Sequence, residues 1–98
     1  MALYAVLLQR GSPYQKSLPL EAQIDWETHA AFMDALVADG FVALGGPLEG
    51  SDEVLLIVRA ASPQEITNRL KLDPWHQNEL LRISRILPWT IRLGTLPS

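Results

Sequence analysis

His29 is the residue of this 98-residue chain best suited to move a proton. An imidazole can change charge near neutral pH, and beside a carboxylate it can act as a general acid and base. His29 precedes Phe32 and Met33 by three and four residues, which places it beside the apolar stripe of a predicted helix. On the residues alone, the commoner alternative is a core histidine whose ring is satisfied by one backbone carbonyl.

Asp73 carries the second chemically useful group, and it also has a structural explanation. Asp73 followed by Pro74 predicts an N-cap and a first helical position, starting a short turn through Trp75 and His76. Capping needs only one carboxylate oxygen. The other oxygen can still face an imidazole.

Three further residues are candidates for substrate binding. Trp75, with Trp26 and Trp89, can form an aromatic pocket wall, although tryptophans also serve as core and interface anchors. Arg92 can bind a carboxylate in the fork geometry of its guanidinium, but the favoured reading is an exposed charge at a strand edge. Tyr14 can close over a ligand, and a plain surface tyrosine is the favoured alternative.

Composition excludes several classes of site and partner. The chain has no cysteine and only two histidines, at 29 and 76, so neither a metal nor a cofactor is predicted. The net charge is −3 and the eight basic residues are scattered, which argues against a nucleic-acid partner. The apolar run at 2–8 is too short to span a membrane and lacks the features of a secretory signal, so a soluble cytoplasmic protein is expected.

The hydrophobic pattern predicts the element order strand, helix, strand, strand, helix, strand. The first helix is predicted to start at an Asp25 N-cap, end near Asp39, and be followed by a left-handed Gly40. The second helix begins with the Ser62 N-cap and ends before Asp73. The strands are predicted at 3–9, 41–44, 53–60 and about 80–93, with a loop to about 23 after the first and a stop at Gly45-Gly46-Pro47 after the second.

That order predicts a single domain over residues 1–98 in the α+β class. With right-handed crossovers it forms a ferredoxin-like βαββαβ fold, a four-stranded antiparallel sheet with both helices on one face. The strands at 3–8 and 54–58 are apolar on both sides, whereas a half-exposed sheet alternates apolar with polar residues. A second copy of the chain is the simplest cover for the open face, so a homodimer packed sheet to sheet is predicted, with a hetero-partner as the alternative.

The order of motifs resembles that of the YCII-related (YciI-like) family of dimeric α+β barrel proteins. The matching residues are the opening strand at 3–8, His29 with Phe32-Met33, Gly40, Gly45-Gly46-Pro47-Leu48 and Asp73-Pro74-Trp75. The resemblance implies a ferredoxin-like fold, dimers joined through the sheet, and a His–Asp pair in a pocket, here His29 and Asp73. Members of the family often have Phe or Tyr where this chain has Trp75.

Two functions follow as hypotheses. The first is a small-molecule enzyme of lyase or isomerase type, acting on a small organic acid, with His29 as the acid/base and Asp73 orienting it. The alternative is a non-catalytic ligand-binding or accessory module that uses the same pocket. Both hypotheses rest on a likeness of fold, which does not establish function, so the geometry of the site has to decide between them.

Overall fold

The computed structural model describes residues 2–96 and has the predicted order of strands and helices. One short piece is added, a 3₁₀ turn at Leu20–Ala22 in the long loop, and the turn predicted to start at Asp73-Pro74 is a one-turn helix. The elements are β1 Ala2–Arg10, α1 Trp26–Ala38, β2 Val42–Pro47, β3 Glu53–Ala60, α2 Pro63–Leu70, α3 Pro74–Gln77 and β4 Leu81–Trp89.

The four strands form one antiparallel sheet in the order β2-β3-β1-β4, which confirms the predicted ferredoxin-like fold. Residues directly opposite one another in an antiparallel pair point to the same face. Val6 lies opposite Leu56 on β3 and Ile86 on β4, and this face turns towards the helices. No helix in residues 2–96 is long and apolar enough to cross a membrane.

The core lies between that face and the helices. Val6, Val58 and Ile66 are fully buried there, and α1 contributes Leu36 to the same cluster. Burial of each such side chain stabilises the fold by about 1.5–3 kcal/mol. The sheet is therefore held firmly against the helix that carries His29.

α1 starts after the predicted N-cap, Asp25, but the capping contact differs from the usual one. Asp25 is the N-cap residue, but its side chain makes no capping hydrogen bond because its backbone is left-handed, with φ of 58°. Its carbonyl accepts the first helical bond, from the amide of His29, at 2.9 Å. Its carboxylate instead accepts from the side chain of Asn78, which ties α1 to the end of α3.

The end of α1 is as predicted. Gly40 is left-handed with φ of 84°, and its amide donates to the carbonyl of Val37 at 3.1 Å. Leu36 and Phe41, on either side of this turn, are both buried. At the start of α2, Ser62 accepts from the amide of Glu65 as predicted, and the Glu65 carboxylate accepts from the amide of Ala61.

The predicted stop after the second strand is wrong. Gly45, Gly46 and Pro47 belong to β2, which continues to Pro47. β2 is an edge strand, so a proline without an N–H does not interrupt a ladder there. A Cβ at Gly45 would lie 2.6 Å from Cδ2 of Leu56, so a larger residue here would displace the Leu56 side chain. The last strand ends at Trp89 rather than near 93, and it forms the opposite edge of the sheet, where Pro88 is accommodated.

Gly11 is required where the chain leaves β1. Its amide donates to the carbonyl of Leu80 at 2.9 Å, and a Cβ would lie 2.1 Å from the carbonyl oxygen of Glu79. We expect Gly11→Ala to lower the free energy of unfolding by about 1–3 kcal/mol, as overpacking does elsewhere. Urea denaturation measures this, with Ser12→Ala at the neighbouring exposed position as the control. Equal stability of the Gly11→Ala variant and the wild type would contradict the close approach.

Candidate functional site

His29 lies in the second turn of α1, on the side that faces α3. Its Nδ1 atom is 2.9 Å from both carboxylate oxygens of Asp73. The two side chains are only 11% and 5% exposed, so little water competes for this contact. A neutral imidazole that donates its Nδ1–H to this carboxylate keeps the lone pair of Nε2 available to accept a proton.

Asp73 performs two structural tasks at once. It is the N-cap of α3, and its Oδ1 accepts from the amide of Trp75 at 3.0 Å. The same carboxylate faces the ring of His29. Pro74, at the first helical position, fixes the turn that aims the carboxylate at α1.

Trp75 fixes the plane of the imidazole. Its ring is stacked on that of His29, with centroids 3.8 Å apart and planes 4° apart. The indole N–H donates to the carbonyl of Ile24 at 2.7 Å, and the side chain is 2% exposed. Trp26 completes the cluster, with its centroid 5.9 Å from His29 and 5.8 Å from Trp75. His29 is thus held by a hydrogen bond and an aromatic stack.

A cavity of about 320 Å³ adjoins this cluster. It lies between α1 and the helix-facing side of the sheet, and His29, Trp26 and Trp75 form part of its wall. Leu56 and Met33 are among the apolar side chains that form much of the remainder. This volume is at the small end of ligand pockets, so the cavity fits a small molecule.

The other predicted site residues lie in different places. Tyr14 is buried, which makes the surface-tyrosine reading wrong. Its ring meets the edge of Trp75 at 6.0 Å, one layer behind the cavity wall. Arg92 is exposed beyond the end of β4 and does not line the cavity. Trp89 is opposite Leu3, on the face turned away from the helices, so the three tryptophans do not form one wall.

Two residues important to this region were not predicted from the sequence. Arg10 lines the cavity, although the sequence showed it only as the last residue before a glycine turn. Gln23, at 4% exposure, fastens the long loop: its side chain accepts from the amide of Gln15 and donates to the carbonyls of Gln15 and Leu18. A glutamine in a polar loop gives no local sign of such burial.

Comparison with known proteins identifies a shared fold. No family model matches the chain, and no curated protein is similar enough to it in sequence to count as a match. Among solved structures, the chain is similar to the 5-chloro-2-hydroxyhydroquinone dehydrochlorinase of Burkholderia phenoliruptrix AC1100, in complex with 2,5-dihydroxybenzoquinone. The identity is 22% over 94% of this chain and 95% of that chain, with a TM-score of 0.61. At this identity the likeness shows the fold: the chain has the same α+β architecture as a small-molecule enzyme.

Proposed function

We propose that this chain is a small-molecule enzyme of lyase or isomerase type in which His29 transfers a proton to and from the substrate. One observation carries the proposal: a buried imidazole, bonded to a carboxylate through Nδ1, lies on the wall of a cavity. A core histidine satisfied by a backbone carbonyl would need neither the carboxylate nor the cavity. Membership in the YCII-related family, on the ordered motifs, is part of the same proposal.

The geometry supports acid–base catalysis in which only the imidazole exchanges protons with the substrate. Nε2 takes a proton from a carbon next to a carbonyl, and the negative charge of Asp73 stabilises the imidazolium that forms. His29 then returns the proton to another carbon, which is an isomerisation, or to a leaving group, which is an elimination. Asp73 and Trp75 are positioning residues, since they act by orienting the ring.

The similar dehydrochlorinase supports a small cyclic substrate. Its hydroxyquinone ligand is planar and has acidic oxygens beside ring C–H groups, so it suits a small aromatic-walled cavity. We therefore use 2,5-dihydroxybenzoquinone as the probe. Addition of a deuteron to a ring carbon and removal of the original proton leaves this compound unchanged except for its isotope.

Exchange of ring hydrogen in deuterated buffer, followed by proton NMR, tests the proposal. The protein is expected to speed loss of the ring C–H signal well above the rate in buffer alone. Saturable binding of the probe without faster exchange would favour the alternative, a ligand-binding module. The same experiment therefore separates the two functions.

We also propose that the working unit is a homodimer joined through the open face of the sheet. By register, Leu44 and Trp89 belong to this face, and they remain 45% and 43% exposed. The apolar residues that share the face are Leu3, Ala5, Leu7, Leu44, Leu55, Ile57, Leu87 and Trp89.

Seven of these eight side chains remain at least partly exposed, since only Ile57 is buried within the single chain, and this exceeds the scattered exposure that is normal for monomers. The helices α1, α2 and α3 all lie on the other side of the sheet, so no helix of residues 2–96 covers this surface. A second copy presents the same surface and can cover it by two-fold symmetry, which is the commonest form of assembly.

A further inference from the structure

Arg10 is the cationic side chain on the cavity wall. It is the last residue of β1, and its guanidinium carbon lies 4.4 Å from the ring centroid of Tyr14. Within residues 2–96 its side chain forms no ion pair and no hydrogen bond. Its five N–H donors are therefore available to a ligand.

Arg69 shows what a structural arginine with a similar stack does in this fold. Its guanidinium carbon lies 4.2 Å from the ring centroid of Phe41, and its side chain donates to Asp39 at 2.6 Å. This hydrogen bond, with a further one from the amide of Phe41, lowers the pKa of the Asp39 carboxyl. Arg69 thus has an anionic partner on the surface, whereas Arg10, on the wall of a cavity, has none among the described residues.

The position of Arg10 is fixed by its backbone. Its amide donates to the carbonyl of Asp52 at 2.9 Å, and the next amide, that of Gly11, donates to Leu80. The close approach of Gly11 to Glu79 fixes the same turn from the other side. These bonds fix the backbone, and the stack on Tyr14 restrains the guanidinium itself, which lowers the entropy lost when it binds a ligand.

Aromatic contacts join Arg10 to His29. Arg10 lies on Tyr14, Tyr14 meets Trp75 edge to face, and Trp75 is stacked on His29. Both ends of this series, Arg10 and His29, line the same cavity. The cation and the imidazole therefore border the same binding space.

The remaining charge on the wall limits the ligand. Asp34 of α1 also lines the cavity and is not within ion-pair distance of Arg10. This carboxylate is exposed to solvent and disfavours only a ligand that places a further anionic group directly against it. A single guanidinium among apolar walls suits a delocalised carboxylate, since a phosphate needs several donors to replace its water.

We propose that Arg10 is the anion-binding residue of this cavity, and that its ligand is a small planar monocarboxylate whose ring extends towards His29. The carboxylate accepts two N–H bonds from the guanidinium, while the ring lies against Trp26 and the apolar wall. The part of this inference that concerns a reaction rests on the proposed function. The binding of the carboxylate depends only on Arg10.

Benzoate and benzamide test the binding, because they have the same shape and differ in charge. By calorimetric or NMR titration, the wild type is expected to bind benzoate at least about 10-fold more tightly than benzamide. Arg10→Gln is expected to lose this preference and to keep its affinity for benzamide within about twofold, which also shows that the cavity is intact. Arg82→Gln, which removes an exposed cation outside the cavity, is the control for net charge.

Two results would overturn the assignment: an Arg10→Gln variant that still prefers benzoate, or a wild type with no preference. A His29→Gln variant separates this inference from the proposed function. It is expected to keep the preference for benzoate and to lose proton exchange. Loss of the preference in His29→Gln but not in Arg10→Gln would place the anion site at the imidazole and contradict the role of Arg10.

Discussion

A His29→Gln variant is expected to catalyse proton exchange with 2,5-dihydroxybenzoquinone about 100- to 10,000-fold more slowly than the wild type. Glutamine can keep a polar contact to Asp73, but its amide does not accept and return protons near neutral pH. The stack on Trp75 loses its imidazole partner, so a small loss of stability accompanies the change. Binding of the probe is expected to persist, because the apolar wall remains.

The matched control is His76→Gln, which replaces the other histidine of the chain. His76 lies in α3 but does not line the cavity, so exchange should match the wild type. Equal exchange rates in His29→Gln and the wild type would remove His29 from the chemistry. Loss of exchange in both variants would point to a general effect on the fold instead.

Leu55→Glu is expected to convert the protein from a dimer to a folded monomer. Leu55 lies opposite Leu7 in the middle of the open face, so two-fold pairing would bury a new carboxylate from each copy in a largely apolar contact. Such a cost weakens the dimer by at least about 100-fold in dissociation constant. Sedimentation velocity should show the mass fall from twice 10.9 kDa to 10.9 kDa.

Leu72→Glu is the control for this experiment. Leu72 is 59% exposed in the turn between α2 and α3, away from the sheet, and its replacement should leave the dimer unchanged. A wild type that sediments as a folded monomer in dilute solution would contradict the homodimer. A dimer that tolerates Leu55→Glu would place the interface on another surface.

Signals that act over a few residues predicted this fold well. Gly40 ends α1 and Ser62 starts α2 as expected, because each depends on backbone geometry within one turn. Asp25 is the N-cap at the predicted position, but its left-handed backbone turns the carboxylate away from the helix and towards Asn78, 53 positions later. The predicted end of the second strand before Pro47 was wrong, because a proline stops a central strand but is accepted at an edge. Which strand lies at the edge is a property of the whole sheet.

The site was harder to predict from the sequence than the fold, because it depends on contacts between residues that are far apart in the chain. The Asp73-Pro74 pair predicted its own turn, whereas its contact with His29, 44 positions away, was implied by a resemblance and not by spacing. The contacts of Arg10 with Tyr14 and of Tyr14 with Trp75 had no local signal in the sequence. Only the fold brings the end of β1 and the long loop against Trp75. Burial and cavity walls come from tertiary packing, which a single sequence does not specify residue by residue.

Nitrogen NMR of the His29 ring, in its neutral form, tests most directly whether this imidazole is set up to accept a proton from a ligand. With Asp73 accepting the Nδ1–H, the proton should reside on Nδ1, and the signal of the unprotonated Nε2 should move when the probe binds. Asp73→Asn, which keeps the cap but can also donate, should shift the ring towards the other tautomer and reduce exchange. A wild-type ring protonated on Nε2, or an Nε2 signal that ignores the ligand, would contradict the proposed acid–base role.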